Sequence, residues 1–495
     1  MESETITLNQ EKKTGLGLAG LIAVVFSSMV GGGIFNIAQN MASVAGLGAV
    51  ILAWVVTGLG MVFLVLTFKH LSDRFPHLNQ GMYQYARVGF GNYAGFNIAW
   101  GYWLCVALGN VAFVVMLNDA VGAFFPVFLE HNWESIIFCE AIVWIMYAIV
   151  VRGIMTASFI NTVMTFLKLG AIVIIIALLA VYISFDTLFF DFWGEATPDD
   201  PKVLGGIWSQ MSGTMFVTMF CFVGIEGGVM LSSYAKRGKD VGKASVIGFY
   251  LALLIYAMIS ILCYGIRTRE DLAALPDPSV AYVLRYSCGE AAYYFVIITV
   301  IVSILAAFIS WTLLAAQAPF GAAKAGILPS SLLKTNKKEV PVFGLTLTTI
   351  FMSLFIILVC TAPDVYLAAL NLTTVMVLPA YALCGAFLWK SAVPGNPYLS
   401  NVGKSVLTQN RIIGFLCLIY CLWCIYAGGY LLFLASSILY LLGFYFYYVT
   451  YRQKKKESGV QTALLSTYEK ILFCVIVAVS ALSIVLISLG KISLS

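Results

Sequence analysis

The sequence predicts an all-α integral membrane protein, and three observations carry this prediction. Of the 495 residues, 61% are apolar and only 10% are charged, whereas soluble domains average about 45–50% and about 25%. The mean hydropathy is +0.95. Apolar runs of about 20 residues, the length that crosses a bilayer as a helix, recur along the chain. These observations exclude a soluble enzyme, and no polar block is long enough to form a separate soluble domain.

Thirteen apolar runs are long enough to span a membrane as helices. They lie at about 15–41, 46–70, 93–118, 133–151, 157–184, 206–234, 242–266, 291–320, 342–361, 366–390, 411–428, 430–451 and 469–490. Only Gly428 and Gly429 separate the eleventh span from the twelfth. Because the number of spans is odd, the two ends of this sequence are expected on opposite sides of the membrane.

Lysine and arginine are unevenly divided between the two sides that these spans define. The side of the N-terminus holds 22 of the 28 basic residues, the opposite side holds 5, and Lys168 lies inside a span. Cytoplasmic loops carry the excess of basic residues in membrane proteins. We therefore expect residues 1–14 to be cytoplasmic, in a multi-pass membrane protein. The net charge of +5 then reflects orientation in the bilayer and does not indicate a nucleic-acid partner.

Glycines interrupt the first and the sixth span at corresponding places. Gly31-Gly32-Gly33 lie in the first, and Gly224, Gly227 and Gly228 surround Glu226 in the sixth. Unwound backbone at membrane depth persists only where it lines a cavity, and two broken helices, each the first of five, are typical of a five-plus-five inverted-repeat transporter. Close helix packing on small residues is the alternative. The predicted organisation is an N-terminal segment 1–14, a first repeat 15–200, a second repeat 201–392 and additional spans in 393–495.

Two ionisable residues lie deep within spans, where a charge costs about 2.5–3.5 kcal/mol or more. Glu226 adjoins the second break, where it could carry a proton, attract a cationic substrate or bond the backbone that the break frees. Lys168 in the fifth span could bond carbonyls of the broken helices in the place of a bridging sodium ion. In that case transport would not need sodium. A purely structural role is the alternative for each residue.

An amino-acid substrate would suit the two breaks chemically. Free N–H groups at the start of a half-helix attract a carboxylate, and exposed carbonyls accept hydrogen bonds from an ammonium group. Gly31, Gly32 and Gly33 leave the backbone of the first break open to such a ligand.

Polar and aromatic residues at similar depth are candidates for the substrate side chain. Trp311 is favoured because it lies mid-span, away from the interfacial aromatic belt, and could hold a guanidinium or ammonium by a cation–π contact. Thr373 and Thr374 either face the site or bond their own helix. The other candidates are Tyr102, Trp103, Asn110, Phe220 and Phe222.

No pattern for covalent chemistry or metal binding is present in the sequence. The eleven cysteines are scattered, most of them in apolar runs, and the three histidines all lie outside the predicted spans. Cys421 and Cys424 have no second Cys or His pair that would complete a metal site. We therefore expect no enzyme activity, no cofactor and no metal ion.

These motifs resemble the amino acid–polyamine–organocation (APC) transporter superfamily, particularly its basic amino acid antiporters of the arginine/ornithine and arginine/agmatine type. The resemblance runs nearly end to end. It is strongest at 27–35, 101–110, 222–227 and 310–314.

The resemblance implies alternating access and a role for each matched residue. The glycines of the first break would take the substrate carboxylate, and the backbone around Phe220 and Val223 the α-ammonium. Trp311 would hold the cationic side chain, and Asn110 matches a substrate-linked asparagine. Tyr102 and Phe220 would gate the site, and Glu226 would be a coupling residue. Phe220 stands where relatives carry tryptophan and Gly32 where some carry serine, which could shift the substrate preference.

The sequence thus predicts a sodium-independent exchanger that imports a basic amino acid such as arginine and exports ornithine or a decarboxylated amine. Its partners would be these small molecules and the lipid bilayer, and assembly as a homodimer stays open. The alternatives are a proton-coupled amino-acid symporter, an exchanger of another substrate pair, and a membrane sensor or membrane enzyme.

Overall fold

The computed structural model describes residues 15–194, 204–361, 363–396, 402–427, 430–458, 463–489 and 491. The predicted segment 1–14 and the division at Gly428 and Gly429 lie outside these ranges. All repetitive structure in them is helical, apart from one isolated parallel bridge between Leu16 and Ala235.

Nineteen α-helices occur in this part of the chain. They are α1 Leu18–Met29, α2 Ile37–Ala42, α3 Leu47–Arg74, α4 Met82–Phe90, α5 Asn92–Gly122, α6 Trp133–Val151, α7 Ile154–Val181, α8 Phe185–Phe189, α9 Ile207–Phe220, α10 Gly227–Met230, α11 Gly238–Tyr264, α12 Arg269–Ala273, α13 Ser279–Cys288, α14 Glu290–Lys324, α15 Val342–Thr361, α16 Pro363–Ser391, α17 Lys404–Ala427, α18 Tyr430–Ser458 and α19 Thr467–Ser488.

Eleven of these helices are long and apolar enough to cross a membrane. They are α3, α5, α6, α7, α11 and α14 to α19. The first and sixth predicted spans are instead interrupted, as α1 with α2 and as α9 with α10. Eleven continuous helices and two broken ones account for the thirteen predicted spans, and the predicted all-helical membrane fold is confirmed.

The two interruptions have a local backbone cause. The first span leaves helical geometry at Val30, where φ is −91° and ψ is 89°, and resumes through a short 3-10 turn at Gly33–Phe35. In the sixth span, α9 ends at Phe220 and the chain then turns through Gly224, whose φ of +109° suits glycine. A β-carbon on Gly224 would also lie 2.5 Å from the carbonyl oxygen of Ser28. The two unwound segments therefore cross in close contact.

The broken helices lie at the centre of the bundle and the outer helices cover them. Helix α1 packs against α7, α11 and α14, and α5 packs against α14 and α16. The outer face of α7 exposes large apolar side chains such as Phe159, Phe166 and Leu167, as expected of a surface that contacts lipid. Below, the side of the bundle at the N-terminal end of α1 is called the near side, and the opposite side the far side.

Candidate functional site

A small cavity lies where the two unwound segments meet. Five of the residues that the sequence singles out for substrate binding line it: Gly31, Gly33, Phe220, Val223 and Trp311. Its other lining residues are Ser28, Met29, Gly109, Ala112, Phe113, Met116, Tyr256 and Thr373. The walls thus come from the first, third, sixth, seventh, eighth and tenth spans.

The carbonyl groups of the first break are already occupied by side chains of other spans. Four consecutive carbonyls each accept a hydrogen bond, so the unwound segment is fixed although it has lost its helical bonds. The pairs are Trp311 Nε1 to Ser28 O at 2.9 Å, Tyr256 OH to Met29 O at 2.9 Å, Lys168 Nζ to Val30 O at 2.5 Å and Ser303 Oγ to Gly31 O at 2.8 Å.

Lys168 is fully buried between the fifth and first spans. Its ammonium group donates to the carbonyl of Val30 and, at 3.1 Å, to the hydroxyl of Ser27. It also lies 5.5 Å from the centre of the Phe26 ring. A buried charge is stable only with such partners. The sequence-based expectation has Lys168 bond carbonyls of both broken helices, and among the described residues it contacts a carbonyl of the first break only.

The N–H groups of the first break, in contrast, remain open. Gly31, Gly32 and Gly33 donate no backbone hydrogen bond within the described part of the chain. They immediately precede and begin the turn that leads into α2, with Gly31 and Gly33 facing the cavity. Unpaired N–H groups at the start of a helical segment attract an anion. This end of the cavity can therefore bind a carboxylate.

The second break offers acceptors to the same cavity. Among the described residues, the carbonyl oxygens of Cys221 and Val223 accept no hydrogen bond, and Val223 lines the cavity. The carbonyl of Gly224 accepts from Ser28 Oγ at 2.7 Å, which ties the two breaks together. Free carbonyls at a helix break are suitable partners for an ammonium group.

Glu226 stabilises the second break from behind the cavity. It is 1% exposed, and its Oε2 atom accepts from the backbone N–H of Gly224 at 3.0 Å and from the hydroxyl of Tyr381. Tyr102 is also buried near Glu226, and its hydroxyl makes no hydrogen bond to a described residue. The structure thus brings Glu226 and Tyr102 together, but neither lines the cavity.

One wall of the cavity is aromatic. Trp311 is 3% exposed and packs against Gly109, where a β-carbon would overlap the indole ring. The ring of Phe113 meets the indole edge to face, with centroids 5.4 Å apart. Phe220 lies over Gly33, 3.3 Å from where a β-carbon would be. These rings can hold a guanidinium or ammonium group by cation–π contact.

Several sequence candidates lie outside the cavity lining. A β-carbon on Gly32 would meet Met116 at 2.6 Å, so the thioether fills that space. Asn110 is fully buried, and neither of its amide atoms has a partner in the described structure. Trp103 donates to Thr348 Oγ1 at 2.7 Å, and Phe222 packs against other rings. Of the two threonines, Thr373 lines the cavity and Thr374 does not.

Sequence reasoning missed several lining residues. Gly109, Ala112, Phe113 and Met116 are spaced as one face of α5. Residues three, four and seven positions after Gly109 lie on the same helical face, so the sequence alone could have identified them. Tyr256 gives no such signal, because tyrosine is common throughout this sequence and only the fold brings it to the first break.

Comparison with known proteins decides the family. Residues 16–427 match a family profile described as amino acid permease. The chain belongs to this amino acid permease family. An arginine/agmatine antiporter of Chlamydia caviae is 39% identical over 490 residues, which cover 98% of this chain and 100% of the relative. An arginine/ornithine antiporter of Pseudomonas aeruginosa is 36% identical over 477 residues, covering 95% and 96%.

The fold is also shared with a solved transporter. A crystal structure of the manganese transporter of Eremococcus coleocola, in complex with an aromatic bis-isothiourea compound, superimposes with a TM-score of 0.55 at 11% identity, covering 98% of this chain and 99% of that one. This permease is therefore a multi-pass membrane transporter and not an enzyme. The resemblance to the APC superfamily is confirmed.

Proposed function

We propose that this permease exchanges arginine for ornithine or for a decarboxylated amine such as agmatine, by alternating access and without sodium. The observation that carries the proposal is the polarity of one cavity: open N–H groups at the first break, free carbonyls at the second, and an aromatic wall. The arginine/agmatine and arginine/ornithine antiporters among its relatives support the choice of substrates.

In the proposed complex, the carboxylate of arginine binds the N–H groups of Gly31, Gly32 and Gly33. The α-ammonium binds the backbone between Phe220 and Val223, where free carbonyls are available. The guanidinium then lies against the face of Trp311. This arrangement uses charge-assisted hydrogen bonds for the amino-acid core and a cation–π contact for the side chain. Asn110 follows Gly109, which packs against this wall, and its amide has no partner among the described residues, so it is proposed as an additional polar contact.

Gating and coupling are assigned to the residues around the second break. Phe220 covers Gly33 and is proposed to close over the bound substrate. Tyr102 does not line the cavity, so it is proposed to act on gating indirectly, through the neighbouring Glu226. Glu226 joins Gly224 in the second break to Tyr381 in the tenth span, so a change in its charge would alter the geometry of the break. We therefore propose that it couples exchange to protons.

Sodium independence is supported by Lys168. Its ammonium group already supplies the positive charge beside the first break, with Val30 O and Ser27 Oγ as partners. A sodium ion bound there would be repelled by the ammonium group, and the oxygen atoms that could bind it are already bonded to Lys168.

The orientation follows from the distribution of basic residues. With 22 of them on the near side and 5 on the far side, we propose that the near side is cytoplasmic and the far side external. The location proposed for this transporter is the plasma membrane of a bacterium, as a single protomer or a homodimer.

The decisive experiment uses purified protein in liposomes without sodium. Uptake of labelled arginine is measured into vesicles loaded with ornithine, agmatine, arginine or buffer alone. We expect fast uptake only where the vesicle contains a counter-substrate, and the rates will rank ornithine against agmatine. Equal uptake into empty vesicles driven by a proton gradient would instead establish the second candidate, a proton-coupled symporter, for which the buried Glu226 is the supporting observation. No arginine uptake under any loading would refute the proposed substrate.

A further inference from the structure

The far-side half of the first span is held by the segment that follows the seventh span. The side chain of Asn36 does not cap α2, and Ser279 takes this role from outside: its Oγ accepts from Gln39 N at 3.2 Å and donates to Phe35 O at 3.2 Å. The side chain of Gln39 donates to Ala273 O at 3.5 Å. Helix α2 is thus bonded through Gln39 to Ser279 and Ala273.

A buried ion pair holds the other end of α2. Arg269 Nε lies 3.1 Å from Asp191 Oδ2, and the two side chains are 7% and 4% exposed. The same guanidinium donates through Nη1 to the carbonyl of Ala42, the last residue of α2, at 3.5 Å. A cation at a helix C-terminus interacts favourably with the last carbonyls. Arg269 therefore joins α2 to the segment after the fifth span.

The turn that follows α2 and the first residues of α3 are bonded in the same way to three other elements. The hydroxyl of Tyr264, at the end of α11, donates to Ala45 O at 2.8 Å. The N–H of Gly46 donates to Gln210 Oε1 at 2.9 Å, and the N–H of Gly48 donates to Phe192 O at 2.7 Å. These contacts are single neutral hydrogen bonds, whereas the Arg269–Asp191 pair is charge-assisted and buried. The Arg269 guanidinium also lies 3.7 Å from Glu270, but that carboxylate is 40% exposed and so compensates the buried charge less well.

Holding α2 also holds the proposed carboxylate site. The open N–H groups of Gly31, Gly32 and Gly33 are joined to α2 by a single short 3-10 turn, so an outward tilt of α2 would displace them. Under the proposed alternating access, we infer that opening toward the far side involves this tilt, because α2 continues the first span toward that side and is bonded there to the segment after the seventh span. Because Gln39 in α2 is bonded to Ser279 and Ala273, such a tilt would carry the segment that begins at Arg269 with it and would separate Arg269 from Asp191.

We propose that Arg269 and Asp191 form an external latch that holds α2 closed over the cavity and sets the balance between externally open and closed states. They are positioning residues that act through α2 and do not touch substrate. This inference rests on the proposed alternating exchange. Beyond that exchange, the latch determines the population of the state that is open to the far side.

The same segment offers a matched control pair. Arg285 and Glu290 also form an ion pair on the far side, but their side chains are 47% and 56% exposed. Exposed pairs contribute little to stability, whereas removing one partner of a buried pair leaves an uncompensated charge. Glu290→Gln therefore removes an ion pair of the same chemistry without opening a buried contact.

The test reports opening directly, in the absence of substrate. The reporter is Met116→Cys, whose side chain lines the cavity, in a Cys288→Ser background, because Cys288 is a partly exposed far-side thiol. A membrane-impermeant, charged methanethiosulfonate is added from the external side. Asp191→Asn and Arg269→Gln should each raise the modification rate by about tenfold or more, and Glu290→Gln should leave it unchanged. Equal rates in all variants would overturn the latch.

Transport kinetics separate a latch from a merely structural contact. In vesicles of uniform orientation, Asp191→Asn should lower the external KM for arginine and raise the internal KM by a similar factor, because it shifts a population. A structural defect would lower the yield or the maximal rate with no opposite change in the two KM values, and this result would also refute the latch.

Arg269→Lys covers the case in which the stronger variants fail to fold. It keeps the charge and loses the planar fork, so a latch predicts a modification rate between those of the parent and Arg269→Gln. A rate equal to that of the parent would contradict the role of the guanidinium. If the unmodified permease does not exchange arginine, the proposed substrate fails, while the substrate-free modification rates still decide the latch.

Discussion

Replacement of Trp311 separates recognition of charge from packing. Trp311 lines the cavity at 3% exposure and also donates through Nε1 to Ser28 O at 2.9 Å. Trp311→Phe and Trp311→Leu both remove this donor and leave the same buried carbonyl unpaired, which costs about 1–3 kcal/mol of stability in each. Only Trp311→Phe keeps an aromatic face. The difference in arginine affinity between the two variants therefore measures the contribution of the aromatic face.

The expected magnitude follows from the burial of the site. A cation over a desolvated tryptophan gains about 2 kcal/mol, and phenylalanine supplies a weaker face, on the order of 1 kcal/mol. At 1.4 kcal/mol per tenfold in affinity, Trp311→Leu should weaken arginine binding by about 30-fold and Trp311→Phe by about fivefold. Citrulline, the neutral analogue of similar shape, makes no cation–π contact. Its affinity should therefore fall only because the smaller side chain packs less well, an effect that arginine experiences too.

The assay is inhibition of labelled arginine exchange in liposomes by unlabelled arginine and by citrulline, compared among the parent and both variants. Thermal unfolding of each purified variant serves as the control for folding. If arginine and citrulline lose affinity by the same factor in Trp311→Leu, the indole face does not bind the cation, and the cation–π assignment is wrong.

Three further perturbations test the breaks and the far side. Gly224→Ala should destabilise the protein by more than about 2 kcal/mol in thermal unfolding, because its φ is +109° and the new methyl group would lie 2.5 Å from Ser28 O. Glu226→Gln keeps an acceptor for Gly224 N–H and should change the pH profile of exchange. Desolvation, together with the nearby Asp119 carboxylate, raises the pKa of Asp277 from 3.8 to about 6. Ionisation of Asp277 therefore lowers the stability of the folded protein as the pH rises through that range. Asp277→Asn removes this ionisation, so it should raise Tm more at pH 7.5 than at pH 4.5.

Each of these has its own control. Gly395→Ala has a positive φ of +84° but no atom within 4 Å of the new methyl group, so an equal loss in both glycine variants would remove the argument from overlap with Ser28. A parental pH profile in Glu226→Gln would leave that residue structural. A Tm difference for Asp277→Asn that is the same at both pH values would contradict the raised pKa.

Part of the site could be anticipated from residue type alone. A lysine or glutamate deep in an apolar span must find partners, so Lys168 and Glu226 were expected beside the breaks, and both contact unwound backbone there. The glycines and Trp311 were likewise expected at the site by their type and depth. The sequence could not tell that Tyr102 lies behind the cavity with Glu226, nor that Met116 fills the space beside Gly32, because helix rotation is decided by packing against other spans.

The sequence by itself determined the membrane class, the thirteen spans, the two breaks and the asymmetry of basic residues, since hydropathy, glycine and charge act through local chain properties and the bilayer. Only the tertiary structure decided which side chains bond the four carbonyls of the first break. It also brings Phe113 and Tyr256 to the cavity and places Arg269 beside Asp191 at the end of α2. These contacts join residues far apart in the chain. They exist only because helix packing brings unrelated segments within hydrogen-bond distance, and no local pattern encodes that choice of partners.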